Sequence, residues 1–327
     1  MRIPSHWLAI LLCLPMLQAR ACPTPPAAER DLKANSFYAD SSGSIIDADK
    51  LARYKADAAP VDNFLRKVAQ MASDYQAGDE AAGRCAMTWL VHWAENDALL
   101  GKAIGGSQAE FLRKWTLAGL AAAYLKVQPV ATAAERQQIT QWFPAMAEFG
   151  LAVFRDPRHK KNNHYYWVGL AVLGAGIAAN DAKLIDTARG IYDKALADIG
   201  DDGTLPLEMA RASRALHYHN YAMEPLVLMA EEARLLGEDW YARQDRRLDR
   251  LARRIVAGLD DPQWFATRTG KKQEIPHGNQ LGWMLLYRKA APESAIFDNR
   301  FPTGEVSDSR LGGSLSRLAE KGFPSRP

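Results

Sequence analysis

Lys161-Asn162-Asn163-His164-Tyr165-Tyr166-Trp167 is a polar and aromatic knot in a chain otherwise rich in Ala and Leu. Two amides, an imidazole and three aromatics make a poor helix interior and a good wall for a polar ligand. Outward from the knot, the apolar residues recur at helical spacing in both directions. Upstream, Thr132 with Glu135 has the form of a capping box before Ile139, Trp142, Met146 and Phe149. Ser107 with Glu110 repeats it before Phe111, Trp115, Leu117, Leu120 and Tyr124. Cys85 to Leu100 is periodic through Met87, Leu90, Val91, Ala94 and Ala98. Asp47 can cap a helix to Ala58, and Pro60 suits the first position of another through Tyr75.

Downstream, helices are expected over Trp167–Ala179, Ala182–Ile199, Ala210–Leu236 and Trp240–Leu259, with a turn at Gly200–Pro206. Past Pro262 the pattern loosens, leaving a helical stretch at Gly282–Lys289 and a last segment opened by Arg310-Leu311-Gly312-Gly313. No run of alternating β-branched residues is long enough to build a sheet, and no repeat of fixed period points to a solenoid. Long helices joined by short turns predict an all-α, single-domain protein of antiparallel helix hairpins.

Of 327 residues, 24% are charged and 48% hydrophobic, ordinary values for a globular chain with a sizeable core. The start is not ordinary. Arg2 precedes an apolar run, Trp7 to Leu17, too short to span a bilayer, and Ala19-Arg20-Ala21 offers small residues where signal peptidase reads. Residues 1–21 therefore read as a signal peptide, with residues 22–327 as the mature domain. Acylation at Cys22 is the weaker alternative, because Ala19 stands where Leu is preferred. The protein is expected to be periplasmic, or else extracellular. Removing Arg2 and Arg20 takes the basic count from 41 to 39 against 38 acids, so the net charge falls from +3 to +1. Bulk charge then argues for neither nucleic acid nor membrane as a partner. The two remaining cysteines, Cys22 and Cys85, should pair in an oxidising compartment, and without CxxC spacing they make a poor zinc site.

A second polar stretch completes the candidate site: Arg214-Ala215-Leu216-His217-Tyr218-His219-Asn220-Tyr221. At about 100° per residue, His217, Tyr218 and Tyr221 fall within roughly 60° of Arg214, while His219 points away. Glycoside hydrolysis normally uses two carboxylates, and neither stretch contains one, although Glu208 and Glu224 flank the second. Zinc on a helix wants His at i, i+4. The set suits proton abstraction next to a carboxylate. Asn163, His164 and Arg214 can neutralise that carboxylate, while Tyr221 takes a proton and returns it to a leaving oxygen. A neighbouring cation such as Arg214 would help Tyr221 ionise. His164 can orient the carboxylate or act as a base from the opposite face. The blander reading has Asn162 and Asn163 capping the next helix, with His164 and Tyr221 as satisfied core residues.

At these residues the sequence resembles the alginate lyases of polysaccharide lyase family five, which carry Asn-Asn-His-x-Tyr-Trp and, further on, Arg-Ala-Leu-x-Tyr-His-Asn-Tyr-Ala. The resemblance covers most of the mature chain. It implies an incomplete α/α toroid with a long cleft and metal-independent β-elimination on a polyuronate, with no cofactor. It assigns neutralisation to Asn163, His164 and Arg214, and acid/base work to Tyr221. It also implies a lid with a substrate-contacting tyrosine, matched by Tyr38 in the loop 36–46, although an inert connector reads equally well there. Two departures stand out: Tyr165 where Ser is usual, and His217 where a small or acidic residue is usual. Both put the uronate in question, with mannuronate-rich alginate as the default and poly-glucuronate or hyaluronan as further candidates. Trp167, Tyr218, Lys161 and Arg310 are further expected substrate contacts. Two rival readings are an α/α-barrel hydrolase using Glu208 and Glu224, and a non-catalytic polysaccharide-binding module. The protein is expected to be a monomer acting on an anionic polysaccharide.

Overall fold

The computed structural model describes residues 22–41, 43–291, 297 and 304–326, so the signal expected over 1–21 lies outside them. Thirteen α-helices are present among these residues. The first six are α1 (Ala48–Gln76), α2 (Glu80–Glu95), α3 (Ser107–Val127), α4 (Ala133–Val153), α5 (Asn163–Ala179) and α6 (Ala182–Asp198). They continue as α7 (Pro206–Met209), α8 (Ala215–Ala233), α9 (Arg243–Arg246), α10 (Leu248–Asp260), α11 (Gln263–Thr269), α12 (Trp283–Tyr287) and α13 (Leu315–Lys321). Among the described residues β pairing comprises two short ladders and an isolated antiparallel bridge between Tyr38 and Ile46. Leu32–Lys33 (β1) pairs in parallel with Ala103–Ile104 (β2), and Ser307–Asp308 (β3) pairs antiparallel with Gly313–Ser314 (β4).

The ring follows from which helices are apolar all round. Every residue of α3 from Leu112 to Val127 is buried, as is every residue of α5 from Tyr166 to Ile177. Such helices have no solvent face to offer and must sit inside a layer of others. In contrast, α10 carries one stripe, Leu248, Leu251, Ala252, Ile255 and Val256, and packs from outside on α8. The inner helices pack in the succession α1, α3, α5, α8 and α12, while α13 touches both α12 and α1. This is an α/α toroid, the fold that the family resemblance implies, built from the helices that periodicity predicts.

Two local features place the C-terminal turn at the mouth of the ring. Gly119 on α3 leaves room for Ser309, since a Cβ there would lie 2.2 Å from its carbonyl oxygen. The buried Lys126 Nζ then donates to the carbonyls of Gly312, at 2.8 Å, and Ser314, at 3.3 Å. At the other end of the chain, a Cys22–Cys85 disulfide with Cα atoms 5.4 Å apart ties the N-terminal coil to α2. Trp89 and Trp93 reinforce it by donating to the carbonyls of Pro23 and Pro26. Among the described residues no helix is long and apolar enough to cross a membrane.

Several boundaries differ from the sequence expectation. Pro60 lies inside α1 instead of starting a helix; both it and Ala56, whose carbonyl loses its partner, are exposed, so water replaces the missing hydrogen bond. Ser107 is the first residue of α3 and caps nothing, because Glu110 pairs with Arg113. The Thr132–Glu135 capping box forms as expected. The helix expected over 210–236 is broken at 212–214, where Ala212 takes φ +50°. The segment around Gln273 takes up backbone groups there: Gln273 bonds the Ala212 carbonyl and the Leu216 amide, and Glu274 N donates to Ser213 O.

Candidate active site

The polar knot is the first turn of α5. Asn162 Oδ1 caps it by accepting from His164 N at 3.1 Å, and the Asn163 amide donates to Glu208 Oε1 at 2.8 Å. The helix break at 212–214 sets Arg214 at the N-terminus of α8, with His217, Tyr218 and Tyr221 along its first turns. These side chains and His164 meet Tyr38 from the loop 36–46 and Arg310 from the C-terminal turn around a cavity of about 270 Å³. Phe37, Ile46, Gln108 and Trp115 complete its wall.

Arg214 is the hub. Its Nε and Nη2 donate to the two oxygens of Glu274 at 2.7 and 3.2 Å, and Nη1 donates to Tyr38 Oη at 2.8 Å and Tyr218 Oη at 3.3 Å. Nη2 also donates to His217 Nε2 at 2.9 Å. Burial works against this cation, but Tyr218, Glu274 and Tyr38 raise its pKa. His217 is held neutral: burial first, then Arg214, lower its pKa to about 4. Its Nδ1 lies 3.2 Å from Glu274 Oε1 but out of line for a hydrogen bond.

His164 stacks on Phe111 with ring centres 3.9 Å apart, and its Nδ1 lies 2.9 Å from Lys114 Nζ. Burial, then the charges of Lys114, Arg211 and Arg310, push its pKa well below the usual imidazole range. Tyr221 stacks between Trp167, at 5.3 Å, and His217, at 6.3 Å. Its pKa is raised well above the usual phenol value by burial, and the cation that opposes this shift is Arg310. That corrects the expectation that Arg214 drives its ionisation. Arg310 lies over the Trp115 ring at 4.3 Å; burial would lower its pKa, but Tyr221, Tyr54, Asp62 and Asp308 raise it.

Four expected contacts lie elsewhere. Asn163 is fully buried, and its Nδ2 donates to both Glu208 oxygens at 3.0 and 2.9 Å, so its donor side is committed inside the fold, while its Oδ1 has no hydrogen-bond partner among the described residues. Trp167 is also fully buried and backs Tyr221 with no face left for a sugar ring. Tyr165 and Lys161 follow the helical turn away from His164 and line a different surface cavity, with Lys161 Nζ 5.1 Å over the Tyr165 ring. His219 points away as expected, bonding Leu205 N and Ala215 O. Sequence reasoning missed Lys114, Gln108 and Glu274. A lysine in the middle of the apolar face of α3 was the visible signal for the first. Glu274 left none, because its segment follows no pattern.

In class, this is an α/α toroid whose cavity gathers phenols and imidazoles beside two guanidiniums. Residues 31–265 match the family model of the alginate lyases. A polysaccharide lyase of Stenotrophomonas maltophilia (strain K279a) is 42% identical over 325 residues, covering 97% of this chain and 98% of its own. An alginate lyase of Azotobacter vinelandii is 31% identical over 320 residues, covering 92% of this chain and 84% of its own. Among solved structures, alginate lyase A1-III from Sphingomonas species A1 aligns with a TM-score of 0.75 at 26% identity, over 92% of this chain and 86% of that one. A variant of that lyase complexed with a tetrasaccharide aligns with a TM-score of 0.76, again at 26% identity, over 91% of this chain and 85% of that one. The chain belongs to the alginate lyase family and is a polysaccharide lyase.

Proposed function

We propose that the protein cleaves 1,4-linked polyuronates, mannuronate-rich alginate first and poly-glucuronate or hyaluronan as further substrates, by β-elimination carried out by side chains alone. The observation that carries the reading is the convergence of the Tyr221 phenol and the His164 imidazole on one cavity with Arg214 and Arg310. A uronate C5–H becomes acidic only when its carboxylate charge is neutralised, because the carbanion delocalises a second charge onto that group. His164 and the two guanidiniums are the groups available for this. Asn163 then acts indirectly, by fixing the first turn of α5 through Glu208. Tyr221 is a phenol in the resting enzyme and releases its proton to solvent as substrate binds; as phenolate, favoured by Arg310, it removes the proton from C5 and, as the phenol so formed, returns it to O4 on leaving. The C5–H and C4–O4 bonds break, a C4–C5 double bond forms, and the proton passes to O4.

The hydrolase alternative lacks its acid pair at the cavity. Glu208 holds Asn163, and Glu224 is a buried residue of α8 itself, with neither on the cavity wall. The disulfide supports action in the periplasm or outside the cell. Ultraviolet absorbance of the unsaturated product, followed on poly-mannuronate, poly-guluronate, poly-glucuronate and hyaluronan, tests the reading. Tyr221→Phe should lose on the order of 10²–10⁴ in kcat without loss of fold. Elimination that persists in the variant, or no elimination by the wild type on any polymer, overturns it.

A further inference from the structure

Lys114 is 3% exposed and faces no carboxylate among its recorded partners. An ammonium so buried is costly to maintain. What surrounds it belongs to the candidate site. Nζ donates to the backbone carbonyl of His164 at 2.9 Å and lies 2.9 Å from the Nδ1 of the same residue. It also sits 4.0 Å over the Phe111 ring, on which the His164 imidazole stacks. One lysine thus contacts both the backbone and the ring of one histidine. The other nitrogen of that histidine, Nε2, takes no protein hydrogen bond among the described residues and is the one left to the cavity.

We propose that Lys114 is a positioning residue that fixes His164 as the Nε2–H tautomer, so that His164 meets the substrate as a hydrogen-bond donor and not as a base. Burial, then the charge of Arg310, push the Lys114 pKa well below the usual lysine range; as ammonium it has donors only and Nδ1 must accept, and as amine it keeps two N–H donors, enough for the His164 carbonyl and Nδ1 together. The neutral ring then carries its one proton on Nε2. A donor there strengthens its bond to a uronate carboxylate as charge accumulates during C5–H cleavage, whereas the opposite tautomer would present a lone pair to that carboxylate and repel it. Arg310 and Arg211, the other charges acting on this ring, are cations and disfavour imidazolium. The assignment also separates the roles of the two motifs: proton transfer to Tyr221, carboxylate polarisation to His164. Its catalytic consequence rests on the lyase reading; the tautomer itself does not.

The experiment pairs a spectroscopic readout with kinetics. Histidine-labelled protein, with the His164 signals assigned through His164→Gln, reports the tautomer by ring carbon and nitrogen chemical shifts. Lys114→Met keeps the chain as far as the ε carbon and the contact with Phe111 while removing the donor. The wild type should read Nε2–H, and the variant should lose that preference. Its kcat on poly-mannuronate should fall on the order of 10²-fold or more, the scale of a misplaced imidazole proton, with KM changed less than about threefold. Lys114→Arg, which retains a donor, should recover part of both signals. A wild type reading Nδ1–H, a Lys114→Met protein still locked as Nε2–H, or an unchanged kcat overturns the inference. Should Lys114→Met not fold, the wild-type tautomer and Lys114→Arg decide it. A wild type that eliminates no polyuronate overturns the lyase reading instead and leaves the tautomer result standing.

Discussion

Glu274 grips Arg214 with both oxygens, Oε2 accepting from Nε at 2.7 Å and Oε1 from Nη2 at 3.2 Å. A uronate carboxylate approaching Arg214 meets a guanidinium whose fork is already filled by a like-charged group. The side chain of Glu274 is 44% exposed, so its charge is partly screened and the contribution is modest. Glu274→Gln keeps the shape and one acceptor while removing the repulsion. We expect KM for a polyuronate to fall about two- to fivefold, a change of ~0.5–1 kcal/mol, and to depend more steeply on salt. Steady-state kinetics at two ionic strengths check this. A KM that rises at both would mean that Glu274 serves to hold Arg214 in place.

Tyr38 ties the loop 36–46 to the cavity. Its hydroxyl accepts from Arg214 Nη1 at 2.8 Å and shares a hydrogen bond with Tyr218 Oη at 2.5 Å, while Arg211 Nη2 donates to the Gly43 carbonyl at 3.0 Å. Tyr38→Phe removes the first two links and leaves the third. We expect the loop at 36–46 to be cut faster in limited proteolysis and KM to rise roughly three- to tenfold, about the 0.5–1.5 kcal/mol of a net hydrogen bond. Unchanged proteolysis would show that Arg211 alone holds the loop down.

How much of this was legible in the sequence depended on whether a residue's role is local. Helical periodicity exposed the helices, α3 and α5 being apolar over most of their turns, while their closure into a ring came from the family resemblance; the side of α8 facing the cavity was legible from angular spacing. The polar knot was harder: Asn162 and Asn163 were visible as unusual, but whether they cap a helix or touch a ligand depends on Glu208, forty-five residues away. Trp167 illustrates the same limit. It follows His164 by three positions, yet its ring turns inward and backs Tyr221. Spacing cannot report which neighbour claims a donor, nor that a patternless segment brings Glu274 to Arg214.

Glu232 on α8 is fully buried, with neither carboxylate oxygen hydrogen-bonded among the described residues. Burial raises its pKa well above the usual carboxyl value of 4.5. The sign follows from proton counting. Above pH 4.5 the unfolded state releases this proton while the folded state keeps it, so stability falls as pH rises toward the folded pKa. The slope is about 1.4 kcal/mol per pH unit across that window. Glu232→Gln does not titrate. Apart from a constant offset for the buried amide, its stability relative to wild type should therefore improve steadily between pH 5 and pH 7. Urea midpoints at the two pH values measure this. A constant difference would show that Glu232 finds a partner or water when ionised.

His217 occupies a position where its ring and its nitrogen do different things. The ring lies nearly parallel to Tyr221, 9° between planes at 6.3 Å, and forms part of the cavity wall. The Nε2 atom accepts from Arg214 at 2.9 Å and so helps to aim the guanidinium that the proposed elimination uses. His217→Phe retains the wall and deletes the acceptor, freeing one Arg214 N–H to seek a substrate oxygen. Mannuronate and glucuronate differ in the direction of a single hydroxyl, so the freed donor should favour one over the other. An unpaired buried donor is worth about 1–3 kcal/mol, enough to change the ratio of kcat/KM between poly-mannuronate and poly-glucuronate by roughly tenfold or more. The better of the two should lose less than about threefold in the same units. Because the imidazole pKa is lowered to about 4, the wild-type ratio should be flat between about pH 5 and 8. Rates on a panel of polyuronates, measured at both ends of that range, check both statements. Equal loss on every polymer would assign His217 to general support of Arg214, and a pH-dependent ratio would mean that it binds substrate as imidazolium.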